Sequence, residues 1–100
     1  MIEGFEEIKN RKIKEVIKSS KVLNFPEFLT LLRQSIGTTR KGFSEDTNIS
    51  EFLLFKWEHG DFKNPIKICN LVTIAEYYHV PLGLLQEKMN HFLSHEEACK

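Results

Sequence analysis

The chain has 100 residues, of which 41% are hydrophobic and 28% charged, and its 14 basic residues balance 14 acidic ones. That size gives one small domain with one modest core, burying about 60–65% of its unfolded surface, and the composition excludes a disordered tail. Zero net charge excludes a generally polybasic protein and leaves room only for a local basic face.

The first predicted element runs from about Ile2 to Lys21. Ile2, Phe5, Ile8, Ile13, Val16 and Ile17 recur at near-helical spacing, and Arg11, Lys14, Lys18 and Lys21 share another face. Acids come early and bases late, which suits the helix dipole. Residues 1–23 are therefore expected to form an N-terminal amphipathic helix. It would lie on the domain surface or serve as an arm for a partner or nucleic acid.

Residues 24–93 are expected to form the main domain, and 94–100 a polar tail that frays. Asn24-Phe25-Pro26-Glu27 is a helix start, with Asn24 as cap and Glu27 closing a capping box. Phe28, Leu31, Leu32 and Ile36 follow at helical spacing, and Gly37 ends the helix. A short helix, Arg40–Thr47, begins after the cap Thr39. Its Gly42 costs up to about 1 kcal/mol relative to Ala, so this helix needs tertiary packing. Asn48 tolerates left-handed geometry, Ile49 follows, and Ser50 caps the next helix.

That next helix, about Glu51–His59, reads EFLLFKWEH. Helical period turns Leu54 and Trp57 inward together. Phe52, Leu53 and Phe55 cannot all follow them, so some apolar surface must stay outside the core. Gly60 stops the helix, and Asp61–Pro65 is a turn-rich link. Two further helices are expected at about Pro65–Tyr78 and Leu82–Phe92, with His79 where the chain turns. The expected core is Phe28, Leu32, Phe43, Ile49, Leu54, Trp57, Leu71, Ile74 or Ala75, Val80 and Leu85. Arg33 and Glu58 are expected to pair, and one of Tyr77 and Tyr78 to lie inside. Cys69 is expected to be a small structural residue.

Two short helices joined at Asn48-Ile49-Ser50 have the form of a helix-turn-helix. From about Phe28 to Leu85 the chain resembles the phage-repressor-like (Xre or lambda-repressor-like) helix-turn-helix family. The resemblance is carried by Arg33 with Ile36-Gly37, Thr39, Phe43-Ser44, Asn48-Ile49-Ser50, Trp57-Glu58-x-Gly60, Asn64-Pro65, Ile74-Ala75-Glu76 and Val80-x-Leu82-x-x-Leu85. Each piece is short; their order and spacing make the match. It implies an all-α, five-helix domain, here with an added N-terminal helix. It also implies sequence-specific binding of double-stranded DNA by a transcriptional regulator or repressor, often as a homodimer on paired half-sites.

Carried onto this sequence, the DNA-binding set is Thr39, Arg40, Lys41, Ser50, Glu51, Phe52, Phe55, Lys56 and Lys63. Departures from the family pattern fall in this set. Arg40 stands where Gln is common, Asn48 replaces the usual turn glycine, and one extra residue lies between Pro65 and Ala75. Glu51, Phe52 and Phe55 occupy positions where DNA readers usually carry short polar residues, Gln, Arg or Lys. Phe52 and Phe55 can pack on a thymine methyl, and Glu51 can accept from cytosine N4, but no Arg or Asn fork is present for bidentate readout. Arg40, Lys41, Lys56 and Lys63 would contact the backbone.

The alternative is a protein-interaction module on the same fold, an antirepressor, antitoxin-like partner or regulator subunit, docking through Phe52 and Phe55. No Gly-rich phosphate loop, acid pair or Ser-His-Asp order stands out, so an enzyme is not expected and no cofactor is implied. His91, His95 and Cys99 recur every four residues but span about 12 Å along a helix, too far for one tetrahedral ion, so no metal is expected. There is no run of about 18 apolar residues to span a membrane. The acidic opening residues do not suggest a secretory signal, and two cysteines suggest reduced thiols in a cytoplasmic protein.

Overall fold

The computed structural model describes residues 4–63 and 66–98, with side chains for 10–19, 21–63 and 66–93. Among these residues the fold is all-α, with six helices and no strand. They are α1 (Gly4–Lys18), α2 (Phe25–Ser35), α3 (Arg40–Thr47), α4 (Glu51–Glu58), α5 (Ile68–Tyr78) and α6 (Leu82–Ala98), with a 3-10 turn at Ser20–Val22 after α1.

Helix α2 is the centre of the molecule and lies against α1, α4 and α6. Its first turn is closed at both ends of a capping box: the Glu27 amide donates to Asn24 Oδ1 at 2.9 Å, and the Asn24 amide donates to Glu27 Oε1 at 3.0 Å. Phe25, Phe28, Leu29 and Leu32 are all buried on its inner face. Such side chains contribute about 1.5–3 kcal/mol each when fully buried, which outweighs what one cap supplies. The helix ends where Gly37 takes a φ of 71°, letting the Thr38 amide donate back to the Arg33 carbonyl at 3.2 Å.

Every expected core position is buried, including both Ile74 and Ala75. Phe25, Leu29, Ile66 and Tyr78 join them, as do Ile13 and Val16 from α1. The N-terminal helix therefore shares the core of the domain and is not a separate arm. Phe5 and Ile8 of the expected apolar stripe lie outside the described side chains. Tyr78 is the inner tyrosine of its pair, stacked on Phe43 at 6.0 Å. Tyr77 meets Phe43 edge-on at 5.3 Å and donates from its hydroxyl to Asp46 at 2.8 Å.

Three boundaries differ from expectation. Helix α1 ends at Lys18, and the 3-10 turn carries the chain into α2. Helix α5 starts at Ile68 and not at Pro65, because Lys67 is still extended (ψ 149°) while Ile66 turns into the core; Asn64 and Pro65 lie outside the described residues. Helix α6 continues past Phe92 to Ala98, as a stretch without Gly or Pro permits; of the expected 94–100 tail, Cys99 and Lys100 are outside the described residues. Cys69 also departs from its expected structural role: it is exposed near the start of α5.

Candidate nucleic-acid interface

The joint between α3 and α4 sets the geometry of the site. Thr39 caps α3, its Oγ1 accepting from the Gly42 amide at 3.0 Å. At the other end Asn48 takes a φ of 64° and its amide donates to the Ser44 carbonyl at 2.8 Å. Left-handed geometry is cheapest for Gly and then Asn, which is why Asn can replace a turn glycine here. Ile49 then points inward and is 6% exposed, pinning the turn to the core. Ser50 Oγ accepts from the Phe52 and Leu53 amides at 3.1 and 3.4 Å and starts α4.

Helix α4 is eight residues long, about 12 Å at the α-helical rise. Leu54, Trp57 and Glu58 form its buried face. Glu51, Phe52, Phe55 and His59 are exposed on the other side, with Lys56 on the flank. Phe52 is 66% exposed and Phe55 43%. Neither ring is bare. Lys56 Nζ lies 5.2 Å from the Phe52 centroid, the Arg40 guanidinium lies 5.1 Å from the Phe55 centroid, and His59 stacks on Phe55 at 4.1 Å. The outer surface of α4 is therefore aromatic and cationic together.

Beneath it sits a charge cluster. Glu58 has a side chain only 1% exposed and accepts from two arginines. Arg33 donates through Nε and Nη2 at 2.8 and 3.1 Å, and Arg40 through Nε at 3.0 Å. Arg33 Nη1 also donates to the Thr38 carbonyl at 3.0 Å. Two arginines and one carboxylate leave a charge of +1. The hydrogen bonds that Arg33 donates to Glu58 raise its pKa above the ordinary value. Burial, and then the charge of Glu58, push the Tyr78 phenol far upward, and the Tyr78 hydroxyl has no hydrogen-bond partner among the described residues.

The structure thus brings Arg40 and Phe55 together, and Phe52 and Lys56. Thr39 and Ser50 are exposed caps at the starts of α3 and α4, while Lys41 and Glu51 are exposed beside them. Lys63 stands apart: it follows the far end of α4, where its amide donates to Asp61 Oδ1 at 3.2 Å. The Arg33–Glu58 pair expected from sequence is present. Its second arginine, Arg40, and the stacking partner His59 were not anticipated. His59 lies four residues after Phe55, a visible helical spacing, whereas Arg40 and Glu58 sit on different helices and share no periodicity.

Leu84, Met89 and Phe92 are partly buried against the chain's own core. Leu84 and Phe92, with Leu23 and Lys88, also line a groove of about 800 Å³ beside α6. Lys88 Nζ donates there to the Leu23 carbonyl at 2.7 Å. No group of three or more His, Cys, Asp or Glu side chains placed to hold a metal ion occurs among the described residues; His95 and Cys99 fall outside the described side chains. None of the helices described is long and apolar enough to cross a membrane. No family model matches the chain, and no curated protein and no solved structure matches it either.

Proposed function

We propose that this chain binds double-stranded DNA sequence-specifically as a transcriptional regulator, with α3 and α4 as a helix-turn-helix and α4 as the helix that enters the major groove. One observation carries the reading. Helix α4 is anchored by Leu54, Trp57 and Glu58 on one side and capped by Ser50, and on its opposite side Glu51, Phe52, Phe55 and His59 are exposed. A short helix held this way has the dimensions a major groove admits.

The named residues divide by chemistry. Arg40 and Lys41 supply positive charge at the start of α3, where backbone amides also favour phosphate, and Lys56 adds one in the last turn of α4. Phe52 can contact base methyl groups and Glu51 can accept from cytosine N4. Lys63, beyond the far end of α4, would reach a more distant phosphate. The family resemblance of residues 28–85 supports the same assignment, and a homodimer would present two α4 helices to half-sites about 34–36 Å apart.

The exposure of Phe52 favours a second reading, in which the same face docks a protein and Phe52 and Phe55 are its anchors. A titration of the full chain against a mixed-sequence duplex at low salt separates the two. The DNA reading expects micromolar or tighter binding that weakens steeply with salt. No binding at tens of micromolar protein would reject it.

A further inference from the structure

We propose that Glu58 and Phe55 are positioning residues that hold the Arg40 guanidinium with its outer edge toward a DNA phosphate. The inference rests on the DNA-binding reading above and adds to it a device internal to this chain.

Four contacts define the device. Arg40 Nε donates to Glu58 Oε1 at 3.0 Å, and the guanidinium lies over the Phe55 ring, 5.1 Å from its centroid. Glu58 cannot swing away, because Arg33 holds both of its oxygens and its side chain is 1% exposed. Phe55 is itself backed by His59, whose ring stacks on it at 4.1 Å and whose Nδ1 lies 2.8 Å from the Phe55 carbonyl oxygen. One edge and one face of the guanidinium are therefore occupied.

The other edge is not. The two Nη nitrogens carry four N–H groups, and they have no hydrogen-bond partner among the described residues. The Arg40 side chain is 33% exposed. A planar fork fixed at Nε presents its Nη groups in a set direction, the geometry that matches two phosphate oxygens. The charge is suited as well, because the cluster keeps its +1 after Glu58 is shared between two arginines. Lysine could not do the same, since one ammonium cannot hold Glu58 from one side and a phosphate from the other with a rigid plane between.

The test compares the full chain with Arg40→Lys, Arg40→Gln and Phe55→Leu, measuring dissociation constants for one duplex across a salt series, with melting temperatures to check folding. All three variants keep the Arg33–Glu58 pair. Arg40→Lys should lose nearly as much affinity as Arg40→Gln although it keeps the charge. Phe55→Leu removes no charge, yet it should weaken binding about threefold to tenfold, as expected when a mobile side chain must be ordered on binding. It should also lower the salt slope toward that of Arg40→Gln, by about one unit for a lost phosphate contact. A purely structural role for Phe55 would leave that slope unchanged.

If Arg40→Lys binds like the wild type and Phe55→Leu keeps the full slope, the positioning inference is overturned while DNA binding stands. If the wild type binds no duplex at low salt, the DNA reading fails and the inference falls with it. In that case the free Arg40 edge would be left to a carboxylate on a protein.

Discussion

Arg33, in the last turn of α2, and Glu58, the last residue of α4, are joined by two hydrogen bonds of 2.8 and 3.1 Å across 25 residues of sequence. The pair fixes the far end of α4 to the central helix, and the Arg33–Thr38 bond extends the brace toward α3. Removing the carboxylate would leave Arg33, whose side chain is mostly buried, without its partner. Glu58→Ala should therefore cost about 3–5 kcal/mol, the range for breaking a buried ion pair from one side. Urea unfolding with an unchanged m-value would measure it. A loss below about 1 kcal/mol would mean that water replaces the carboxylate at little cost.

Trp57 is buried one turn after Leu54, so the two anchor α4 from within. Trp57→Ala should cost about 3–5 kcal/mol, enough to unfold much of a small domain of ordinary stability. Circular dichroism at 25 °C should show lost helix, and duplex binding should disappear with it.

Much of this arrangement was legible in the sequence, and the reasons are local. The caps at Asn24, Thr39 and Ser50 announce their helices because a side-chain oxygen three residues or fewer from a free amide is a short-range device. Asn48 announces the left-handed turn for the same reason. The core positions are legible because Leu54 and Trp57, or Leu71 and Ala75, repeat at helical period. The start of α5 was misplaced, since nothing local says that Ile66 serves the core as an extended residue before the helix begins. The membership of α1 in the core was left open because an amphipathic stripe does not name its partner. At the candidate site, helical period says only that Phe52, Leu53 and Phe55 cannot all face inward, and the family resemblance is what points Phe52 and Phe55 outward. The link from Arg40 to Glu58 is long-range, and only the packing of α3 on α4 brings the two together.

Ile13 tests the place of α1. It is buried in the common core although it lies in the first helix. Ile13→Ala should lower stability by about 2–5 kcal/mol, as buried Ile truncations do. An unchanged melting temperature would show that α1 contributes little to the domain.

Tyr78 gives a pH prediction with a definite sign. Its phenol is raised above the ordinary value of 10.0 by burial and by the charge of Glu58. The unfolded chain therefore releases this proton near pH 10 while the folded chain keeps it. The contribution is complete below pH 10 and is lost as the pH rises beyond it. Tyr78→Phe removes a hydroxyl that has no hydrogen-bond partner among the described residues. It should be close to neutral or mildly stabilising at pH 7, and it should retain more of its stability at pH 11 than the wild type. A loss above about 2 kcal/mol at pH 7 would reveal a bond to the hydroxyl through water.

The surface proposed to face DNA is the outer side of α4. The most direct test is amide chemical-shift mapping of the isotope-labelled chain during titration with a duplex enriched from a random pool. With α4 seated in the groove, the largest changes should fall on Ser50 to Lys56 and on Thr39 to Lys41, with the groove beside α6 unmoved. Changes centred on Leu23, Leu84 and Phe92, or none at saturating duplex, would contradict it.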